Sequence, residues 1–196
     1  MKVAIIKYNA GNFRPVIFAL DRIGIEPVLT DDPRIIQKAD RVIFSGTGEA
    51  GKAMILLKET GLDKVIQQLK QPVLGINLGT QLMCKYSEES NTDCLGIFDL
   101  NVKQFRDATL QQKIPQTGWN EIFNLKTRLF ERLKENAFMY FIQSYYIESG
   151  KETISETNYI LTYSSALRKD NFFAVQFLPE KSGADGLRVL ENFLKI

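Results

Sequence analysis

The chain has 196 residues, 44% hydrophobic and 24% charged, a globular composition able to bury about 70% of its unfolded surface without a metal or disulfide staple. Its net charge of +2 is too small to attract nucleic acid by field alone, and no apolar run approaches the roughly 18 residues of a membrane span. Histidine is absent, which removes the usual general base near neutral pH and every His-ligated metal site.

Lys2–Tyr8 is a β-branched apolar run that predicts a buried strand, followed by a turn at Asn9-Ala10-Gly11-Asn12. Val16, Ile17, Leu20 and Ile23 form a helical stripe over Arg14–Ile23, which Gly24 can end. Glu26–Thr30 reads as a strand, Asp32-Pro33 as the start of a short helix ending near Ala39, and Arg41–Phe44 as a third strand leading into Ser45-Gly46-Thr47-Gly48. Helices are expected at Ala50–Lys58, Leu62–Lys70 and Leu78–Tyr86, with a strand at Pro72–Ile76. Strand and helix thus alternate through the first half, the pattern of parallel strands with helices on both faces.

The second half breaks that rhythm. Short strands are expected at Asn101–Phe105, Glu121–Phe123, Phe138–Ile142, Tyr159–Thr162 and Phe173–Phe177. A final helix over Gly183–Leu194 would place Leu187, Leu190 and Leu194 on its apolar side. Lys126, Arg128, Arg132 and Lys134, interrupted by Glu131 and Glu135, read as a solvated helix face. Met1–Ile6 is too short for a signal peptide, and the two cysteines, Cys84 and Cys94, are too few for a disulfide framework; a cytoplasmic protein with reduced thiols is expected. No repeat or linker divides residues 1–196, read as one domain.

Four segments carry a family resemblance: Tyr8-Asn9-Ala10-Gly11-Asn12, Leu74-Gly75-Ile76-Asn77-Leu78-Gly79-Thr80-Gln81, Gly118-Trp119-Asn120, and Gln176-Phe177-Leu178-Pro179-Glu180-Lys181-Ser182. In this order and spacing the chain resembles the glutaminase subunit of imidazole glycerol phosphate synthase, a class I glutamine amidotransferase of histidine biosynthesis. The second segment alone indicates the wider class; the first and third narrow it. The resemblance implies an α/β fold, a three-layer αβα sandwich (flavodoxin-like) with a mostly parallel central sheet. It also implies no cofactor, glutamine as ligand, and a cyclase-type (β/α)8 barrel as heterodimer partner.

The chain departs from that family where the chemistry is done. Asn77 stands where the family has its cysteine nucleophile, and Leu178 where it has its histidine base; the third triad member matches Glu180. Gln116 and Gln143 match two further family histidines. Cleaving an amide through a covalent intermediate needs a nucleophile and a base within hydrogen-bond reach, and an amide and an aliphatic side chain supply neither. The fold is expected to survive: asparagine tolerates the positive φ that a sharp strand-to-helix elbow demands, and leucine has about the bulk of an imidazole.

The resemblance further assigns Gly46, Thr47 and Gly48 to the loop that supplies an oxyanion-hole amide. Gln81, Glu89, Ser144 and Tyr145 match positions that hold glutamine, with Glu89 facing its ammonium group. Asn12, Trp119 and Lys181 match the face that docks the partner. Each also has a plainer reading: a tight turn at Gly46–Gly48, a charged helix end at Glu88-Glu89, packing for Trp119, a surface ion pair for Glu180-Lys181, and structural roles for both cysteines. Four functions stay open: a non-catalytic docking subunit, a glutaminase with an unrecognised nucleophile, a glutamine-binding regulatory module, and a subunit for surface-sugar amidination. If buried, Glu180 is expected to have a raised pKa.

Overall fold

The computed structural model describes residues 1–8, 13–106 and 112–196. The expected turn at residues 9–12, and with it the docking candidate Asn12, lies outside the described residues. The first half alternates as the sequence predicts: β1 (Val3–Ile6), α1 (Arg14–Asp21), β2 (Val28–Thr30), α2 (Pro33–Lys38), β3 (Arg41–Gly46), α3 (Ala50–Thr60), α4 (Leu62–Gln68), β4 (Val73–Asn77) and α5 (Leu78–Met83). The local chemistry matches. Asp32 caps α2, its carboxylate accepting from the Arg34 amide at 2.8 Å with Pro33 in the first turn. Gly61, at φ 70°, closes α3 and opens α4.

The second half is richer in strands than its sequence suggests: β5 (Tyr86–Ser87), β6 (Thr92–Asp93), β7 (Asn101–Gln104), β8 (Gln116–Ile122), β9 (Ala137–Gln143), β10 (Tyr145–Ile147), β11 (Thr153–Asn158), β12 (Thr162–Lys169) and β13 (Phe172–Val175), closed by α6 (Gly183–Lys195). Among the described residues eleven strands form one sheet in the order β2-β1-β3-β4-β13-β12-β10-β7-β5-β6, with β11 paired to β12. Its core, β2-β1-β3-β4-β13, is parallel throughout. From β12 outward the pairing becomes antiparallel, apart from β5 beside β7. β8 and β9 stand apart as an antiparallel pair, with Trp119 opposite Tyr140.

The sheet separates two cores, which makes the molecule a three-layer αβα sandwich. Ala4 and Ile6 face one core with Ile36, Leu57, Ile66 and Leu82 from α2–α5. Val3 and Ile5 face the other with Leu20 of α1, Leu190 and Phe193 of α6, and Phe141 of β9. Burial on both faces explains why the parallel strands read as unbroken apolar runs.

Three expectations are corrected. Tyr159–Leu161 is the turn between β11 and β12, held by the Tyr159 amide on the Leu161 carbonyl at 3.0 Å; Tyr159 and Ile160 pack on the core without extending as a strand, and Leu161 is exposed. α5 stops at Met83, because Tyr86 leaves to pair with Asp93 and Asn101. The basic cluster lies around a short 3₁₀ turn at Arg128–Phe130, not along an α-helix face. On α6, Leu190 and Leu194 are buried as expected, joined by Gly186, Val189 and Phe193, with Leu187 half-buried against the same core.

One close approach joins the layers at the site. A Cβ added to Gly79 would lie 1.8 Å from the Phe44 carbonyl oxygen, so α5 starts directly against the backbone of β3. The obstacle is backbone and cannot rotate away. Gly79→Ala is therefore expected to cost about 3 kcal/mol or more of stability. Gly24→Ala, which has open space but φ 78°, should cost only the left-handed backbone penalty of about 1–2 kcal/mol. Urea unfolding midpoints of the two variants would check the difference.

Candidate functional site

β3 and β4 end side by side, with Gly46 paired to Asn77. The carboxyl ends of adjacent parallel strands are where open α/β sheets place their ligands. Here they open onto a cleft of about 320 Å³ whose lining includes Thr47, Gly48, Asn77, Gln81, Glu89, Gln143, Ser144, Tyr145, Leu178 and Lys181. Residues far apart in sequence are thus brought together where the sequence analysis placed them. Gly46, Trp119 and Glu180 do not line it, and Ile142, Pro115 and Leu78 complete it. A groove of about 610 Å³ along β2 and α2 contains none of these residues.

Asn77 sits at the turn from β4 into α5 with φ 53° and ψ −110°. The positive φ is as expected, but this ψ lies outside the left-handed well that asparagine tolerates, a strained geometry costing about 1–3 kcal/mol. Its side-chain amide donates to the Ile142 and Gln176 carbonyls, both at 3.1 Å. Nothing in the sequence foretold those bonds, because their acceptors come from β9 and from the segment after β13.

Gln81 is buried, and its amide reaches the Tyr145 carbonyl at 3.4 Å and the Gln176 side chain at 3.3 Å. Glu89 has a structural task besides any ligand: its Oε2 accepts from the Ala50 amide at 2.7 Å, capping α3. Half-burial raises its pKa, against that hydrogen bond. Burial, then the nearby Glu89 and Glu88 carboxylates, likewise push the Tyr145 hydroxyl up. Gln143, which lines the cleft, and Gln116 are both buried, their side chains 3.5 Å apart, and the Tyr163 hydroxyl donates to Gln116 at 2.8 Å. Among the described residues the Gln116 Nε2 and Gln143 Oε1 atoms have no partner.

Neither cysteine lines the cleft. Cys84, at the far end of α5, is fully buried, and burial raises its thiol pKa well above the ordinary range. Cys94 is pushed up to about 12, also chiefly by burial. Both are protonated at neutral pH, and a thiol attacks only as the thiolate. Among the described residues no group of three or more Cys, Asp or Glu side chains is placed to hold a metal.

Beside the cleft, Trp119 and Phe138 stand 55% and 51% exposed on the β8–β9 pair. Tyr140 meets Trp119 edge-on at 5.8 Å, and the Lys181 ammonium lies 6.0 Å from the Tyr140 ring centre. The result is an aromatic, cation-edged face continuous with the cleft through Lys181 and Ile142.

With this geometry the comparisons with known proteins agree. A family model described as "Glutamine amidotransferase class-I" matches residues 19–196. The imidazole glycerol phosphate synthase subunit HisH of Bacteroides fragilis (strain YCH46) is 54% identical over 196 residues, covering all of both chains. That of Escherichia coli (strain K12) is 40% identical over 198 residues, again covering all of both. A solved structure of a putative GMP synthase component from Thermoplasma acidophilum superposes with a TM-score of 0.76 at 16% identity, over 100% of this chain and 92% of that one. PurLQS from Thermotoga maritima gives 0.73 at 15%, over 99% and 97%. The chain belongs to the class I glutamine amidotransferases, and among them to the HisH family of imidazole glycerol phosphate synthase subunits.

Glu180 carries a testable consequence of burial. Among the described residues its Oε2 has no hydrogen-bond partner, and desolvation raises its carboxyl from the usual 4.5 to about 7, against its own backbone hydrogen bond and Lys181. The folded carboxyl keeps its proton up to about pH 7, whereas the unfolded one releases it near 4.5. Its contribution is therefore fully present below pH 4.5 and is lost as pH rises through 7, about 3 kcal/mol in all. In Glu180→Gln the stability difference between pH 4.5 and pH 8 should shrink by about that amount, as read by urea unfolding at the two pH values.

Proposed function

We propose that this chain is a docking subunit of an imidazole glycerol phosphate synthase-type assembly that does not hydrolyse glutamine. The observation that carries this reading is the cleft itself. Asn77 and Leu178 line it at the positions that the resemblance gives to nucleophile and base, and Asn77 spends its amide on two backbone carbonyls. Among the described residues no other group in the cleft has the chemistry of a thiolate–imidazole pair, and both cysteines are inert. In a serine protease, losing the nucleophile or the base costs roughly a millionfold in turnover, so ammonia for the assembly comes from solution.

The docking half of the reading rests on the Trp119–Tyr140–Lys181 face. An exposed tryptophan ringed by apolar and cationic groups has the composition of an interface centre. The relatives' name places them in a synthase with another subunit, and the partner proposed here is a cyclase-type (β/α)8 barrel. Trp119→Ala is expected to weaken that association by about 2 kcal/mol or more, near 30-fold in Kd, without altering the unfolding midpoint. Titration calorimetry against the barrel subunit would measure it.

A second reading has its own support: Gln81, Glu89, Ser144 and Tyr145 still line the cleft, so glutamine binds there without being cut. Calorimetry with glutamine separates binding from silence, and genomic neighbours separate histidine synthesis from surface-sugar amidination. The decisive variant is Asn77→Cys with Leu178→His, assayed for glutamate release with the partner present. The double change should restore measurable activity and neither single change should, because the pair acts as a unit. Glutamate release by the unaltered chain at an ordinary enzymatic rate would overturn the proposal.

A further inference from the structure

We propose that Asn77 is a positioning residue that fastens the docking strands to the rest of the cleft, so that the elbow now acts as a structural joint. Three segments meet at this point. The elbow belongs to β4 and α5, Ile142 lies near the end of β9, and Gln176 opens the segment that runs through Leu178 to Ser182. One carboxamide joins all three, its Nδ2 donating to the Ile142 and Gln176 carbonyls at 3.1 Å each.

Further bonds tie two of the three together but do not reach the elbow. The Leu178 amide donates to the Tyr140 carbonyl at 2.9 Å. The Tyr140 amide donates to the Ser182 hydroxyl at 2.9 Å, and that hydroxyl donates to the Leu178 carbonyl at 2.7 Å. β9 and the 176–182 segment are therefore held to each other along a seam that carries Tyr140 and Lys181 of the aromatic face. Asn77 bridges that seam from the elbow, beside the Gln81–Gln176 side-chain bond at 3.3 Å and the Thr80 hydroxyl on the Val175 carbonyl at 2.7 Å, which tie α5 to the same strand end but do not reach β9. A donor is required, since both acceptors are carbonyls, and two donors on one atom are what a carboxamide offers and a thiol, hydroxyl or carboxylate does not.

The inference deepens the docking proposal and leans on it only for its consequence, a face held ready for a partner. The attachment itself is tested on the isolated full-length chain by site-resolved amide hydrogen exchange, so failure of either idea is distinguishable from failure of the other. Asn77→Asp keeps the size and the tolerance of positive φ but turns the donor into an acceptor facing two carbonyls. Asn77→Gly also removes the donor, yet it relieves the elbow strain. In both variants the Tyr140 and Leu178 amides should exchange about tenfold faster relative to those of β1 and β3, the loss expected from two modest hydrogen bonds. Global stability should fall in Asn77→Asp and hold or rise in Asn77→Gly. Loss of hairpin protection in the glycine variant without loss of global stability is the signature that mere destabilisation cannot produce. Unchanged relative protection at Tyr140 and Leu178 in both variants, or equal loss at every amide, would overturn the proposal; if Asn77→Asp does not fold, the glycine variant decides alone.

Discussion

The contact between the start of α5 and the backbone of β3 governs the rest of the site. With 1.8 Å between a hypothetical Gly79 Cβ and the Phe44 carbonyl, α5 can reach the sheet only by a sharp turn, and the residue before the helix must absorb it. Asn77 does so at φ 53°, ψ −110°. The same turn puts the Asn77 side chain at the joint end of β3 and β4, faces Gln81 into the cleft, and leaves Thr47 and Gly48 as the opposite wall. The Tyr8 side chain, two residues past β1, also fits only because position 46 is glycine: a Cβ there would lie 1.7 Å from its hydroxyl. Geometry of this kind comes from glycine and backbone, and it persists whichever side chain occupies the elbow.

How far the sequence reveals this depends on whether a feature is local. The parallel half is legible because two-sided burial writes continuous apolar runs, and because Asp32-Pro33 and Gly61 mark helix ends by their own chemistry. The antiparallel half is less so. β11 and β12 carry buried Ser155, Ser164 and Ser165, and the Ser155 and Ser165 hydroxyls pair across the strands at 2.7 Å; polar interior strands of this sort lack an apolar signature. The strands β5, β6 and β10, of two or three residues each, are fixed by partners rather than by propensity. At the site, motif spacing locates the cleft-lining residues. It does not reveal the Asn77 bonds, the Glu89 cap on Ala50 or the Ser182 link to Tyr140, each of which joins segments at least 39 positions apart.

Around the elbow, burial sets the state of the remaining titratable groups. Burial holds Glu180 largely protonated up to about pH 7 and keeps both cysteine thiols protonated well beyond it. An imidazolium at position 178 would favour the ionised carboxyl and lower its pKa; leucine offers no charge, so desolvation prevails. Desolvation outweighs the two influences that lower this carboxyl, its own backbone hydrogen bond and the Lys181 charge.

Asparagine at the elbow has an energetic logic of its own. The backbone there costs about 1–3 kcal/mol, and two amide bonds return about 0.5–1.5 kcal/mol each, so one side chain nearly offsets the strain that its own position imposes. A cysteine in the same turn has no donor capable of the two bonds and leaves the strain in place. Strained, uncompensated backbone is a recurrent cost of catalytic sites, and stability gained there is commonly matched by activity lost. Asn77 sits on the stable side of that exchange. On the docking reading proposed above, its two bonds favour a cleft that holds its shape, and with it the aromatic face alongside.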